Sequence, residues 1–263
     1  MTTPMIDTHC HLNFNRYDDD RDDIVQGAHT AGVTRIIIPA IDTDTCQQAI
    51  DLTQRYAGVY AAVGVHPNST AAFDEQTLAQ IRAFADYDKV VAIGEIGLDY
   101  YWDKSPKATQ ADAFKQQLKL AAELERPVII HNRDAGADVM SILEAWAADL
   151  PASLRDRPGV MHSFLASQAI ADRALAAGFY LGFTGPVTFK NADNLRAIVR
   201  GVPLDRILVE TDGPFLTPEP YRGKRNKPEY IPHIVDRIAS LKQISTDEMA
   251  AASTANAVRL FQL

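Results

Sequence analysis

The sequence predicts a (β/α)8 TIM barrel, a single domain over residues 1–263. Three observations carry this. Eight short apolar runs alternate with longer stretches of helical spacing, the pattern of parallel strands joined by helical crossovers. Each strand-plus-helix unit takes roughly 33 residues, which suits a fold of about 250. Polar residues that an apolar strand does not tolerate gather toward the C-terminal ends of the runs, where such a barrel builds its active site.

In order, the strand-like runs are MIDTHCHL (5–12), VTRIIIPAI (33–41), VYAAVGVHP (59–67), VVAIGEIGL (90–98), PVIIHNR (127–133), GVMHSFL (159–165), FYLGFTGPV (179–187) and RILVETDGP (206–214). They are nearly continuous in Val, Ile, Ala and Leu, as strands buried on both faces are. Helical spacing falls at 20–31, 44–57, 74–86, 107–125, 135–148, 167–177 and 191–200, with more helix in 229–262. An open doubly wound sheet would show G-x-G-x-x-G after the first strand, and this chain does not. No low-complexity segment or linker divides the chain.

Apolar residues at 46% and charged residues at 23% are ordinary for a globular protein. A net charge of −8 argues against a surface that grips nucleic acid all round, and leaves room for a local basic patch. No 18-residue apolar span suggests a membrane helix. The start, MTTPMIDTHCHL, lacks the basic and apolar regions of a signal peptide. Cys10 and Cys46 give no disulfide framework, so a cytoplasmic setting is expected. No feature marks an obligate protein partner.

The polar residues at the strand ends are His9 and His11, His66, Glu95, His131 and Arg133, His162, and Glu210 with Asp212. Side chains alternate along a strand. That parity groups Asp7, His9 and His11, sends Cys10 toward the helices, and groups Ile129, His131 and Arg133, and Leu208, Glu210 and Asp212. Four imidazoles and two carboxylates, from His9, His11, Glu95, His131, His162 and Asp212, are best explained by cations that use them all. One catalytic zinc takes three protein ligands. Six ligands fit two divalent ions sharing a carboxylate, able to generate a hydroxide and clamp a displacement. Imidazole-rich ligands favour Zn, Mn, Co or Ni over Mg.

After the last strand comes PEPYRGKRNKPEYIP (218–232), where Arg222, Lys224, Arg225 and Lys227 place four cations in six residues. Prolines and a glycine oppose regular structure there. A cation cluster beside a metal centre suits a polyanionic substrate. Tyr100, Tyr101 and Trp102 follow strand 4 on the same face, where they either stack bases or simply pack. His29 and His233 read as surface or capping residues. The acid run DDDRDD (18–23) reads as a solvated loop and a helix first turn.

DTHCHL (7–12), GVHP (64–67), GEIGLDY (94–100), HNR (131–133), HSF (162–164), ETDGPFL (210–216) and RGKRNKP (222–228) together resemble the TatD family of metal-dependent deoxyribonucleases in the amidohydrolase superfamily. The resemblance runs the whole chain, in order. It implies that His9 and His11 hold one ion, that Glu95 bridges, and that His131 and His162 hold the other. It implies that Asp212 binds metal and takes the proton of the attacking water, and that His66 faces a substrate phosphate. It also implies Mg-supported activity on DNA, single strands or 3′ ends, of the 3′-to-5′ exonuclease type. Arg133, Arg222, Lys224, Arg225 and Lys227 would then hold non-reacting phosphates. The chain departs from the family pattern at Leu165, Ala166 and Ser167 after HSF, and at Gly213 after ETD; neither change removes a ligand. Glu95 stands where many amidohydrolases use a carboxylated lysine. Two rivals remain: an amide or ester hydrolase on the same metals, such as a D-aminoacyl-tRNA deacylase, and a binding protein that has kept the ligands.

Overall fold

The computed structural model describes residues 3–263. Eight parallel strands form one sheet in sequence order: β1 (Met5–Asp7), β2 (Val33–Pro39), β3 (Val59–Val63), β4 (Val90–Asp99), β5 (Val128–Arg133), β6 (Gly159–Met161), β7 (Tyr180–Phe183) and β8 (Ile207–Val209). The seam between β8 and β1 is stitched by backbone bonds from Thr8 N–H to Val209 O, Asp212 N–H to His9 O and His11 N–H to Gly213 O. The expected barrel is therefore what the chain forms.

Among the described residues ten helices surround it: α1 (Arg21–Thr30), α2 (Thr43–Arg55), α3 (Glu75–Phe84), α4 (Lys107–Glu123), α5 (Gly136–Ala147), α6 (Ala152–Arg155), α7 (Gln168–Ala176), α8 (Asp193–Gly201), α9 (Ile231–Lys242) and α10 (Thr246–Phe261). Local chemistry sets several boundaries. Asp42 and Thr45 form a reciprocal capping box at the start of α2. Asp74 accepts the Thr77 N–H at 2.8 Å to cap α3, and Ser245 accepts that of Glu248 at 3.1 Å to cap α10. The 229–262 stretch splits because Gln243 adopts a left-handed conformation, ending α9. The short α6 has no counterpart in the expected helices. Among the described residues no helix is long and apolar enough to cross a membrane.

The core has two layers. One lies between strands and helices and includes Cys10, Cys46, Ile38, Phe114 and Phe179. The other fills the barrel, with a residue from every strand: Ile6, Ile37, Ala62, Ala92, Ile129, Val160, Tyr180 and Leu208. Ala257, Leu260 and Phe261 of α10 join this inner layer and close the barrel's floor. Each such fully buried Leu or Phe contributes about 1.5–3 kcal/mol of burial free energy.

Several strands are shorter than the apolar runs. The first ends at Asp7, the sixth at Met161 and the eighth at Val209, so His9, His11, His162 and Asp212 lie on the turns above them. Left-handed φ angles of 43° at Ser163 and 54° at Asp212 end the pleat. This corrects the parity of the first run. Ile6 faces the barrel interior, the chain bends at Thr8, and Asp7 turns aside to Thr211 rather than sharing a face with His9 and His11.

Candidate metal centre

Glu95 is the hub. The ladder between β4 and β5 shifts register between Ile93 and Ile96, and the Glu95 N–H crosses to Ala40 O at 3.0 Å. This irregularity aims its carboxylate into the mouth of the barrel. Next to it, Gly97 has φ 146°, and a Cβ there would lie 2.0 Å from His131 O. Only glycine lets β4 pass this close to the strand that carries His131.

Around Glu95 stand five imidazoles. Its Oε1 lies 2.8 Å from His131 Nδ1, 2.8 Å from His162 Nε2 and 3.7 Å from His66 Nε2. Its Oε2 lies 3.4 Å from His9 Nε2 and 3.7 Å from His11 Nε2. Asp212 Oδ1 sits 3.7 Å from His9 Nε2 and 3.6 Å from His11 Nε2. All six residues expected as ligands therefore converge, drawn from strand ends up to two hundred residues apart. Their donor atoms include two compact groups, His9–His11–Asp212 and His9–Glu95–His162.

The donor set fits cations. His9 is fully buried, yet neither ring nitrogen has a hydrogen bond. A buried imidazole without a partner is costly, and a bound ion supplies the partner. The His9 and His162 rings stack in parallel, centroids 4.0 Å apart. Burial, followed by the nearby His162, drives the His9 pKa down to about 4, leaving a neutral imidazole ready to ligate. Burial opposes the charge on Glu95, but His162, His66 and His131 outweigh it and hold the carboxyl well below its ordinary value. Asp212 is likewise lowered, its burial outweighed by the bond to His11 and by His9 and His162. Burial also opposes a charge on His162, yet Glu95 raises its pKa to about 9. That proton stands where a metal would compete.

The hydrogen bonds of two histidines set their tautomers. His11 Nδ1 lies 3.3 Å from Pro39 O, so it carries the proton and leaves Nε2 free to ligate. His66 is the reverse: Nδ1 accepts the Asn68 N–H at 3.1 Å, and burial holds the ring neutral with a pKa of about 3. Its proton is on Nε2, which suits donation to an anionic oxygen.

Three carboxylates complete the site. Asp99 Oδ2 lies 3.0 Å from His131 Nε2, and its Oδ1 accepts the N–H groups of Tyr101 and Trp102 at 3.0 and 3.1 Å. It was not among the expected site residues. The signal was present, because 95, 97 and 99 share one face of a strand. Asp7 accepts the Thr211 hydroxyl at 2.6 Å and its N–H at 2.9 Å, tying β1 to the turn before Asp212. Glu210 accepts the Thr8 hydroxyl at 3.2 Å and the Ser163 N–H, and lies 3.8 Å from His162 Nδ1. Gly182 makes room for it; a Cβ there would lie 2.5 Å from its carboxyl.

The expected phosphate contacts divide. The 218–232 loop is anchored beside the centre, because the Asn226 side chain donates to Thr211 O at 2.8 Å. Arg225 is engaged by Asp20 and Arg16 O, and Lys227 by Glu229 at 2.6 Å. Arg222 and Lys224 are exposed, over the rings of Phe189 and Tyr221. Arg133 is exposed, one strand step beyond His131. His233 packs against Tyr221 in the first turn of α9, and His29 is exposed on α1.

Known proteins resemble this chain over nearly its whole length. The model of the family described as TatD related DNase matches residues 6–262. A metal-dependent hydrolase of Bacillus subtilis, YabD, is 44% identical over 98% of this chain and 99% of its own. The 3′-5′ ssDNA/RNA exonuclease TatD of Cronobacter turicensis is 37% identical over 98% of this chain and 97% of its own. The crystal structure of YjjV, a TatD homologue from Escherichia coli, superposes with a TM-score of 0.92 at 32% identity, covering both chains completely. The chain belongs to the TatD related DNase family.

Proposed function

We propose that this protein is a metal-dependent exonuclease that hydrolyses phosphodiester bonds of single-stranded nucleic acid, DNA first, from the 3′ end. The observation that carries this is the Glu95 carboxylate ringed by imidazoles with Asp212 opposite. His9, His11 and Asp212 would hold one divalent ion, His131 and His162 the other, with Glu95 between. Bound ions supply Lewis acidity and a water that ionises near neutral pH.

The chain's own residues do the rest. Asp212 is held ionised and accepts the proton of the attacking water. His66 donates from Nε2 to a non-bridging phosphate oxygen. Arg222, Lys224 and Arg133, free of carboxylate partners, bind the flanking phosphates. Arg225 and Lys227, engaged with Asp20 and Glu229, shape the loop that carries them. The exposed cations favour a polyanion over an uncharged amide or ester. The relative named as an exonuclease acts on ssDNA and RNA, and supports the same reading.

The test is incubation of 3′- or 5′-labelled single-stranded DNA with Mg, Mn, Zn or Ni. Controls are EDTA and Asp212→Asn. Metal-dependent shortening from the 3′ end, lost in both controls, is expected. No shortening with any metal, in protein shown to carry metal, would overturn the proposal and turn attention to aminoacyl esters.

A further inference from the structure

We infer that Tyr101 and Trp102, flanked by the Arg133 cation, form a stacking shelf for the bases of a single strand, beside the metal centre. The inference rests on the nuclease reading and adds a binding subsite to it.

The three aromatics after β4 have different fates. Tyr100 is half-buried against the core, and its hydroxyl donates to Asp138 at 2.7 Å. It packs. Tyr101 and Trp102 stay 55% and 48% exposed, among the few large apolar side chains left in solvent. Their rings meet edge to face, centroids 4.9 Å apart. The Arg133 guanidinium lies 4.0 Å from the Tyr101 centroid and 5.7 Å from that of Trp102. Lys104 stands 5.9 Å from the Trp102 ring.

Their position follows from Asp99. One of its oxygens holds the Tyr101 and Trp102 N–H groups, and the other meets His131 Nε2. The turn bearing the rings is thus fastened to a residue of the metal centre. Arg133 pairs with Asp99 across β4 and β5, and shares a strand face with His131 about 7 Å away. Cations and exposed rings on a fixed turn, in a chain of net charge −8, match a ligand with both phosphates and π-faces. Every base offers such a face, so the shelf is indifferent to sequence. A duplex keeps its bases stacked on one another, so the shelf selects single strands.

The test uses metal-loaded protein and cleavage-resistant phosphorothioate DNA decamers, one of thymidine and one of abasic residues with equal charge. Fluorescence anisotropy gives Kd for each. Wild type is expected to bind the base-bearing strand about tenfold more tightly. Trp102→Ala should collapse that ratio toward one, and Trp102→Phe should keep most of it. The protein has two tryptophans, and Trp146 is half-buried with its N–H donated to Leu118 O at 2.8 Å. In a Trp146→Phe variant the base-bearing strand alone should quench the remaining fluorescence. Equal binding of both decamers by wild type, or an undiminished ratio in Trp102→Ala, overturns the shelf. Failure of the nuclease reading shows differently, as wild-type protein that does not shorten natural DNA.

Discussion

Asp99 and His131 meet at 3.0 Å through Oδ2 and Nε2, while the other nitrogen of the same ring faces Glu95 at 2.8 Å. His131 is gripped from both sides, and despite burial the two carboxylates raise its pKa. A carboxylate behind a ligating histidine fixes the ring and makes it a better donor. Asp99→Asn keeps the shape and removes the charge. It is expected to weaken metal affinity about 10- to 100-fold, read by titration calorimetry on metal-free protein. Wild-type affinity would leave Asp99 only the task of holding the Tyr101–Trp102 turn.

Glu95→Gln tests the hub. The amide cannot serve two ions, so bound metal measured by mass spectrometry should fall and kcat should drop at least about 100-fold. In wild type, stripping metal with EDTA should lower Tm by about 10 °C, because ligand in excess stabilises only the native state. The variant should show little such shift. An equal shift in both would mean that the ions bind elsewhere.

Asp7 offers a pH test in metal-free protein. Burial raises its carboxyl from 3.8 to about 7, although bonds from Thr211 oppose the shift. A raised carboxyl favours the protonated native state. Its contribution is fully present below the unfolded value and is lost as pH climbs through about 7. Relative to Asp7→Asn, wild type should therefore lose stability between about pH 4 and 7, by up to about 4 kcal/mol in thermal or urea melts. No change over that range would show that the Thr211 donors keep Asp7 ionised.

The basic loop should separate by function. Arg222→Ala with Lys224→Ala should raise KM for single-stranded DNA and flatten the salt dependence of binding by about 1.4 in log–log slope, about 0.7 per cation. Arg225→Ala breaks the contacts to Asp20 and Arg16 O. It should cost about 1 kcal/mol in melts and leave the slope unchanged. The reverse pattern would reassign the phosphate contacts.

Much of this was legible in the chain. Barrel order follows from eight apolar runs, and His9, His11, Glu95, His131, His162 and Asp212 stood out as polar residues at their ends. Alternation worked where the pleat continues, as at Ile129, His131 and Arg133. It failed at Asp7, because the strand ends there and the chain bends at Thr8. Asp99 is harder to read, because the apolar run stops at Leu98 and the partner of Asp99 is a histidine on the next strand. The pairing of Arg225 with the 18–23 acids was equally hidden, since it joins residues that only the seam between β8 and β1 brings together. The two-residue period is a local property, whereas ion pairs across the barrel depend on the whole closure.

The floor formed by Leu260 and Phe261 has one more effect. The barrel is a cup and not a pipe. No strand can be threaded through it, so whatever reaches Glu95 enters by the rim and leaves by the rim. A long polymer must hang outside with only its tip dipped in, which makes a free end easier to serve than the middle of a chain.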